Sequence, residues 1–245
     1  MIKEMKEKDT TCVQSVKVVY LNILWDREVN WMKIEDFEVY GLIESIVASR
    51  FPMDTGYLAD NFNKEISNVA ELTEEDIKNL TAFKLANSPS GSGHDCWLKG
   101  VIVQANITAP AYWTIQEYRY HFRDTISSQS KMHKIEFLLK RQNFPEDVYC
   151  LAEKAIERYK AKEIDIDYLM HYIPLSWELT YREMFSYLQL KTIYAQRRNH
   201  KSKQWQVFCD WIEELPCSFL ITESYNDLKK TLKKLFYHKQ GFAKK

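Results

Sequence analysis

The chain has 245 residues, 45% of them hydrophobic, with 34 basic and 34 acidic side chains. That length and apolar content suffice for one domain with a sizeable core, and six Gly with six Pro exclude a collagenous or linker-like chain. A formal net charge of zero argues against binding a nucleic-acid polymer, which needs a basic face, but leaves room for a pocket that takes one phosphate.

Residues 1–14 read as a frayed polar arm, too charged for a signal peptide. No apolar run approaches the roughly 18 residues of a membrane span, so a soluble cytoplasmic protein is expected. Cys12, Cys96, Cys150, Cys209 and Cys217 form no CxxC pair, which suits a reducing compartment and buried free thiols. Val16–Ile23 is β-branched and aromatic and predicts a strand. Phe37, Tyr40, Ile43, Ile46 and Val47 fall at helical spacing and predict a helix over Glu35–Arg50, broken by Phe51-Pro52. Acids in its first turn predict a second helix from Thr73 to about Ala86. A Ser/Gly turn over residues 88–94 leads into Val101–Ile107, a buried strand. Ala109-Pro110 breaks it, and a helix over Pro110–Arg123 follows, then a polar loop over Thr125–Lys131. Further helices are expected at His133–Arg141, Pro145–Lys160, Asp165–Tyr172, Glu178–Gln196 and Ser202–Leu215. Tyr225–Lys245 has Leu and Phe on one side and Lys on the other, which predicts a docked or solvated helix rather than one lying on a membrane. The expected class is α+β, with a domain over residues 15–222 between the arm and a basic C-terminal helix or tail, 223–245.

Three stretches carry candidate chemistry. Gly93-His94-Asp95 is a turn whose imidazole and backbone N–H groups suit a cofactor or phosphate, or whose side chains merely cap the turn. An HD pair also suits a metal phosphohydrolase, but no HxxE or HExxH follows, so no metal is expected. Trp97 and Leu98 beside Cys96 predict a buried structural thiol rather than a nucleophile. Gln116, Arg119 and Arg123 would share one helical face, suited to a phosphate or planar imide or simply to solvent. Thr125, Ser127, Ser128, Gln129, Ser130 and Lys131 supply hydroxyls, an amide and an ammonium that can wrap a phosphate. The cluster Gln196-Arg197-Arg198-Asn199-His200-Lys201 sits where a helix is expected to end, and there cations can simply compensate the dipole.

Taken together, these blocks resemble the flavin-dependent thymidylate synthases, in a divergent, phage-like branch. The family pattern is a G-H-[ED] turn, a strand, A-P, R-Q-x-x-R-H-R, a polar loop ending in S-x-R, then N-x-R and A-Q-x-E-I-R. This chain has Gly93-His94-Asp95, Ala109-Pro110, Gln116, Arg119-Tyr120-His121, Ser130-Lys131, Arg198 and Gln204-Trp205-Gln206 in the same order. It departs at R-H-R, where Tyr120 and His121 stand, and at N-x-R, which becomes Tyr187-Leu188-Gln189.

The resemblance implies a small twisted antiparallel or mixed sheet with surrounding helices, assembled as a homotetramer with sites shared between subunits. It implies methylation of dUMP to dTMP, with methylenetetrahydrofolate as carbon donor and FAD, reduced by NADPH, as hydride source. Gln116 and Arg119 would face nucleotide and flavin, and Ser130 and Lys131 the phosphate. Arg198 would stabilise charge developing on the pyrimidine carbonyls; Arg198, Ser130 and Arg119 are thus the catalytic candidates. His171 lies near a phosphate-binding position. His94, Arg119, Tyr120, His121, Tyr187 and Gln189 would meet the flavin, with Tyr120, His121 and Tyr187 stacking on its ring. The altered flavin-side residues keep two alternatives open: a pyrimidine-nucleotide hydroxymethyltransferase, or a non-catalytic nucleotide-binding protein on the same scaffold.

Overall fold

Two strands with alternating burial form the centre of the sheet. The computed structural model describes residues 32–53, 73, 77–78, 80–89, 91–140, 142 and 144–223. The expected arm at 1–14, the strand at Val16–Ile23 and the basic tail lie outside these residues. In β2 (Ile102–Pro110), Val103, Ala105, Ile107 and Ala109 point into the core while Ile102, Gln104, Asn106 and Thr108 are half-buried. This is the strand expected from sequence, one residue displaced at its start and extended three residues beyond Ile107, so that Ala109-Pro110 closes the strand rather than breaking it. β1 (Lys33–Tyr40) pairs antiparallel along one side of β2, and β4 (Glu178–Ser186) along the other; β3 (Asp124–Ser128) closes the order β1-β2-β4-β3.

Two of these strands correct the sequence reading. Glu178–Ser186 was expected as the first half of a helix. It alternates, with Tyr181, Glu183 and Phe185 inward, and pairs with β2 from Ile102↔Ser186 to Pro110↔Glu178. The inward Glu183 interrupts the apolar alternation that normally reveals a strand. Residues 33–40 were expected partly as helix. A bulge between Glu35 and Glu38, with Asp36 at φ 50°, shifts the period of the strand. The helix begins only after Gly41, as α1 (Leu42–Ala48). A Cβ at Gly41 would lie 2.7 Å from the Gly100 carbonyl, so only glycine fits this corner.

The remaining helices are α2 (Thr81–Ala86), α3 (Ala111–Glu117), α4 (Lys131–Leu139), α5 (Glu146–Lys160), α6 (Ile166–Met170), α7 (Tyr187–Arg197) and α8 (Lys203–Glu214). The expected helix to Arg123 stops at Glu117, so Gln116, Arg119 and Arg123 do not share a helical face. The expected polar loop at 125–131 is instead the edge strand β3 and the start of α4.

The main core lies between one face of the sheet and helices α3, α7 and α8. Trp113, Trp205, Phe208, Trp211 and Phe185 form a chain of ring contacts there, from Trp113–Trp205 at 4.8 Å to Phe208–Trp211 at 5.2 Å. Rings at these spacings each contribute about 0.5–1.5 kcal/mol beyond burial. A second apolar cluster joins Leu138 and Leu139 of α4, Ala152 and Ile156 of α5, Leu169 of α6, and Trp177. No described helix is long and apolar enough to cross a membrane.

Candidate functional site

Helix α7 is where the candidate stretches meet. Its Lys191 Nζ donates to Asp95 Oδ2 at 2.7 Å, to the Ala86 carbonyl at 2.7 Å and to the Ser88 carbonyl at 2.8 Å. Asp95 is therefore a buried anchor, and neighbouring His94 remains exposed. Two residues before Lys191, Gln189 donates through Nε2 to the His121 carbonyl. At the far end of α7, Arg197 Nε donates to the Tyr120 hydroxyl at 2.6 Å, and that hydroxyl donates to Gln196 Oε1 at 3.1 Å. Burial raises the Tyr120 phenol and Arg197 opposes that rise. Just beyond, Trp205 of α8 donates its indole N–H to Gln116 Oε1 at 3.2 Å. One helix and the start of the next thus hold the 93–95 turn, the end of α3 and the 119–122 loop.

Arg123 secures that loop from its other end. Phe122 turns the backbone at φ 69°, and Arg123 points inward behind it. Its guanidinium pairs with Glu183 of β4, lies 3.1 Å from Glu117 Oε1, donates to Thr125 Oγ1 at 3.0 Å and stacks 3.9 Å from the Tyr118 ring centre. Thr125 Oγ1 donates to the second Glu183 oxygen at 3.0 Å. Both carboxylates are fully buried. Glu117 is within ion-pair range of Arg123, but neither of its oxygens has a hydrogen bond of good geometry. Burial first, then the neighbouring Glu183, pushes the Glu117 carboxyl up to about 8 against the pull of Arg123. Burial also raises Glu183, and Arg123 opposes it.

The expected site residues divide by environment. His94, Arg119 and His121 are exposed. Tyr120 is half-buried, with its ring 5.9 Å from that of Trp205. Tyr187 is fully buried and donates its hydroxyl to the Pro216 carbonyl, so it presents no ring face to a ligand. Gln189 is buried too, and its Oε1 has no hydrogen-bond partner. Arg198 Nη1 meets Asp210 Oδ1 at 2.6 Å and its Nε meets Glu213 Oε1 at 3.1 Å.

Ser130 and Lys131 stand apart from this group, at the start of α4. Gln129 fixes them to β4 by exchanging hydrogen bonds with Thr180. Ser130 Oγ is 2.8 Å from His133 Nδ1, and a cavity of about 420 Å³ opens beside Gln129, Ser130, Lys134, Phe137 and Leu138. Burial lowers the Lys131 ammonium. His171 caps α6 on the exterior, 6.2 Å from the Tyr168 ring.

The expected buried thiol at Cys96 is corrected: Cys96 is exposed, whereas Cys209 and Cys217 are buried. Its place on the short 3-10 helix Cys96–Gly100 turns Leu98 inward and leaves Cys96 outside. Among the described residues no group of three or more His, Cys, Asp or Glu could hold a metal ion. Lys191, Glu117 and Glu183 carry much of the local electrostatics and are not singled out by sequence, whereas Arg197 belongs to the cationic cluster at the end of α7. The available signal was a Lys and Glu at positions with apolar neighbours.

No family model matches the chain, nor does any curated protein. Solved structures do. Thymidylate synthase X (ThyX) from Helicobacter pylori with FAD and dUMP is 14% identical and superposes with a TM-score of 0.53, covering 79% of this chain and 98% of that one. The chain has the ThyX fold. A second H. pylori ThyX complexed with FAD and dUMP is 12% identical, with a TM-score of 0.52 and the same coverage. The UMP/dUMP methylase PolB from Streptomyces cacaoi, bound with 5-Br dUMP, is 12% identical, with a TM-score of 0.54 over 79% of this chain and 95% of that one. The ThyX fold accounts for the open four-stranded antiparallel sheet and its surrounding helices.

Proposed function

We propose that the chain is an enzyme of pyrimidine deoxynucleotide monophosphates that methylates dUMP to dTMP. The observation that carries this reading is the convergence on α7 of the 93–95 turn and the 119–122 loop, joined there by residues separated by 68 to 96 positions. The two kinds of solved neighbour described above, a thymidylate synthase and a dUMP methylase, support the substrate class.

Within this proposal Ser130 and Lys131 hold the nucleotide phosphate, beside the cavity at the start of α4. Arg119 is exposed and presents its guanidinium to the pyrimidine; Gln116 is fixed by Trp205 and helps to hold the end of α3. Arg198 adds a second cation whose charge is already shared with Asp210 and Glu213. His171 sits on the exterior and would reach a phosphate contributed by another copy, which is how a homotetramer with shared sites would use it.

The residues present fit FAD on one side. His94, Arg119 and His121 are exposed, and at Gly93 a Cβ would meet nothing within 4 Å, so a ring or phosphate can approach that backbone. The unsatisfied Gln189 Oε1 adds a buried acceptor beside the His121 backbone. Tyr187 and Tyr120 instead serve the chain's own packing. When bound, FAD reduced by NADPH would supply the hydride and methylenetetrahydrofolate the carbon. The protein's part is to bind, orient and place cations where negative charge develops. The inward Tyr187 also favours a second reading, in which an altered flavin pose gives a hydroxymethyl product or no catalysis.

Calorimetry with dUMP, with and without FAD, tests the proposal. Binding of dUMP that Arg119→Ala weakens by about ten- to a hundredfold, the loss of one charge-assisted bond, supports it. No heat with dUMP at millimolar protein-to-ligand range, with or without FAD, removes it.

A further inference from the structure

Lys191 is an uncommon residue for its position. It lies on the buried side of α7 with its side chain 4% exposed, between Leu190 and Ile193 of the core. A lone ammonium there would be costly to bury, yet every one of its three N–H bonds has an acceptor: Asp95 Oδ2, the Ala86 carbonyl and the Ser88 carbonyl, all at 2.7–2.8 Å. Two of these acceptors are carbonyls at and just past the end of α2, where backbone C=O groups lack helical partners. The third belongs to the turn that carries His94. The described residues Gly91–His94 of that turn bury little against the rest of the chain. Gly91, Ser92, Gly93 and His94 are exposed, Gly91 and Gly93 sit at φ 88° and 83°, and a Cβ on either glycine would touch nothing. Its own bonds are short-range: Ser92 N–H donates to the Pro89 carbonyl at 3.1 Å, Cys96 N–H to the Gly93 carbonyl at 3.3 Å and His94 N–H to Ser92 Oγ at 3.4 Å, so none ties the turn to a distant element. The same helix holds the 119–122 loop through Gln189 and Arg197.

We propose that Lys191 is a positioning residue: by clamping Asp95 and the end of α2, it fixes the His94 turn to the helix that also holds the 119–122 loop. The clamp itself needs no ligand. Its consequence for flavin binding rests on the proposed function. A turn held in place only a tenth of the time would bind its ligand about tenfold more weakly, without loss of any direct contact between Lys191 and the ligand.

Hydrogen exchange on the full chain, read by mass spectrometry, compares the parent with Lys191→Met, Asp95→Asn and Lys191→Arg. Exchange at residues 88–96 should rise at least about tenfold in the first two, while α4 and α8 keep their protection. Lys191→Arg keeps the charge and should restore part of it. A flavin-fluorescence titration should show FAD bound about tenfold more weakly in Asp95→Asn, while dUMP calorimetry is unchanged because Ser130 and Lys131 lie elsewhere. If Lys191→Met fails to fold, Asp95→Asn, which keeps the side-chain shape, decides. Unchanged exchange at 88–96 in Asp95→Asn overturns the clamp. Raised exchange with unaltered FAD affinity overturns the positioning role and leaves a purely structural ion pair. A parent that binds neither FAD nor dUMP sinks the proposed function and the positioning role together, while the exchange data still decide the clamp.

Discussion

Glu117→Gln should remove a pH dependence of stability that the buried Arg123 cluster imposes. The Glu117 carboxyl is fully buried, shares Arg123 with the better-bonded Glu183, and is pushed up to about 8 from an ordinary value of 4.5. The folded state therefore holds a proton that the unfolded chain releases above about 4.5. Stability from this group is fully present below 4.5 and is lost as the pH rises through about 8, because the unfolded state binds fewer protons over that window. One unit of difference is worth about 1.4 kcal/mol, so the full span from 4.5 to 8 corresponds to an order of 3–5 kcal/mol. Glutamine keeps the shape of the neutral acid and cannot ionise. Urea unfolding of parent and variant at several values between pH 5 and 9 measures the difference. The variant should match the parent near pH 5 and exceed it by a few kcal/mol at pH 8.5. Comparison with the variant isolates Glu117 from Glu183, Glu178 and Glu214, whose carboxyls burial also raises. Parallel curves for the two proteins across the range would refute the reasoning.

Arg123→Met strands the buried Glu183 and should destabilise the fold by about 3–5 kcal/mol, measured by the same unfolding; an unchanged midpoint would mean that the cluster is open to water. Arg198→Ala should weaken dUMP binding less than Arg119→Ala, since Asp210 and Glu213 already share its charge; calorimetry giving the reverse order would make Arg198 the principal cation. Iodoacetamide should label exposed Cys96 in the native protein and spare Cys209, whose thiol burial pushes up to about 12; peptide mapping that finds both modified together would contradict the packing of α8.

The sequence was most legible where the physical pattern was unbroken. The apolar run Val101–Ile107 predicts a strand and a following helix, and both are present, although the strand continues through Pro110 and the helix ends at Glu117. β4 was hidden because a carboxylate, Glu183, occupies an inward position that only Arg123 and Thr125 make tolerable. β1 was hidden by the bulge at Asp36, which displaces the period of two. The end of α3 depends on tertiary burial of Glu117 and on the left-handed Phe122, neither of which local propensity reveals. In the site, His94 is recognisable as a polar group in a turn, Ser130 as one in a polar loop, and Arg119 as a cation on an expected helix that in fact ends at Glu117. The inward turn of Tyr187 was not, since its partner is the Pro216 carbonyl, 29 residues away. Nor was the role of Lys191, whose carboxylate partner lies 96 residues back along the chain.

Product analysis tests the central claim most directly. The protein is incubated with dUMP, methylenetetrahydrofolate, FAD and NADPH, and the nucleotides are identified by mass spectrometry. The account predicts dTMP that disappears when FAD or NADPH is omitted and falls sharply with Arg119→Ala. Recovery of dUMP alone, or a hydroxymethylated nucleotide in place of dTMP, would contradict it.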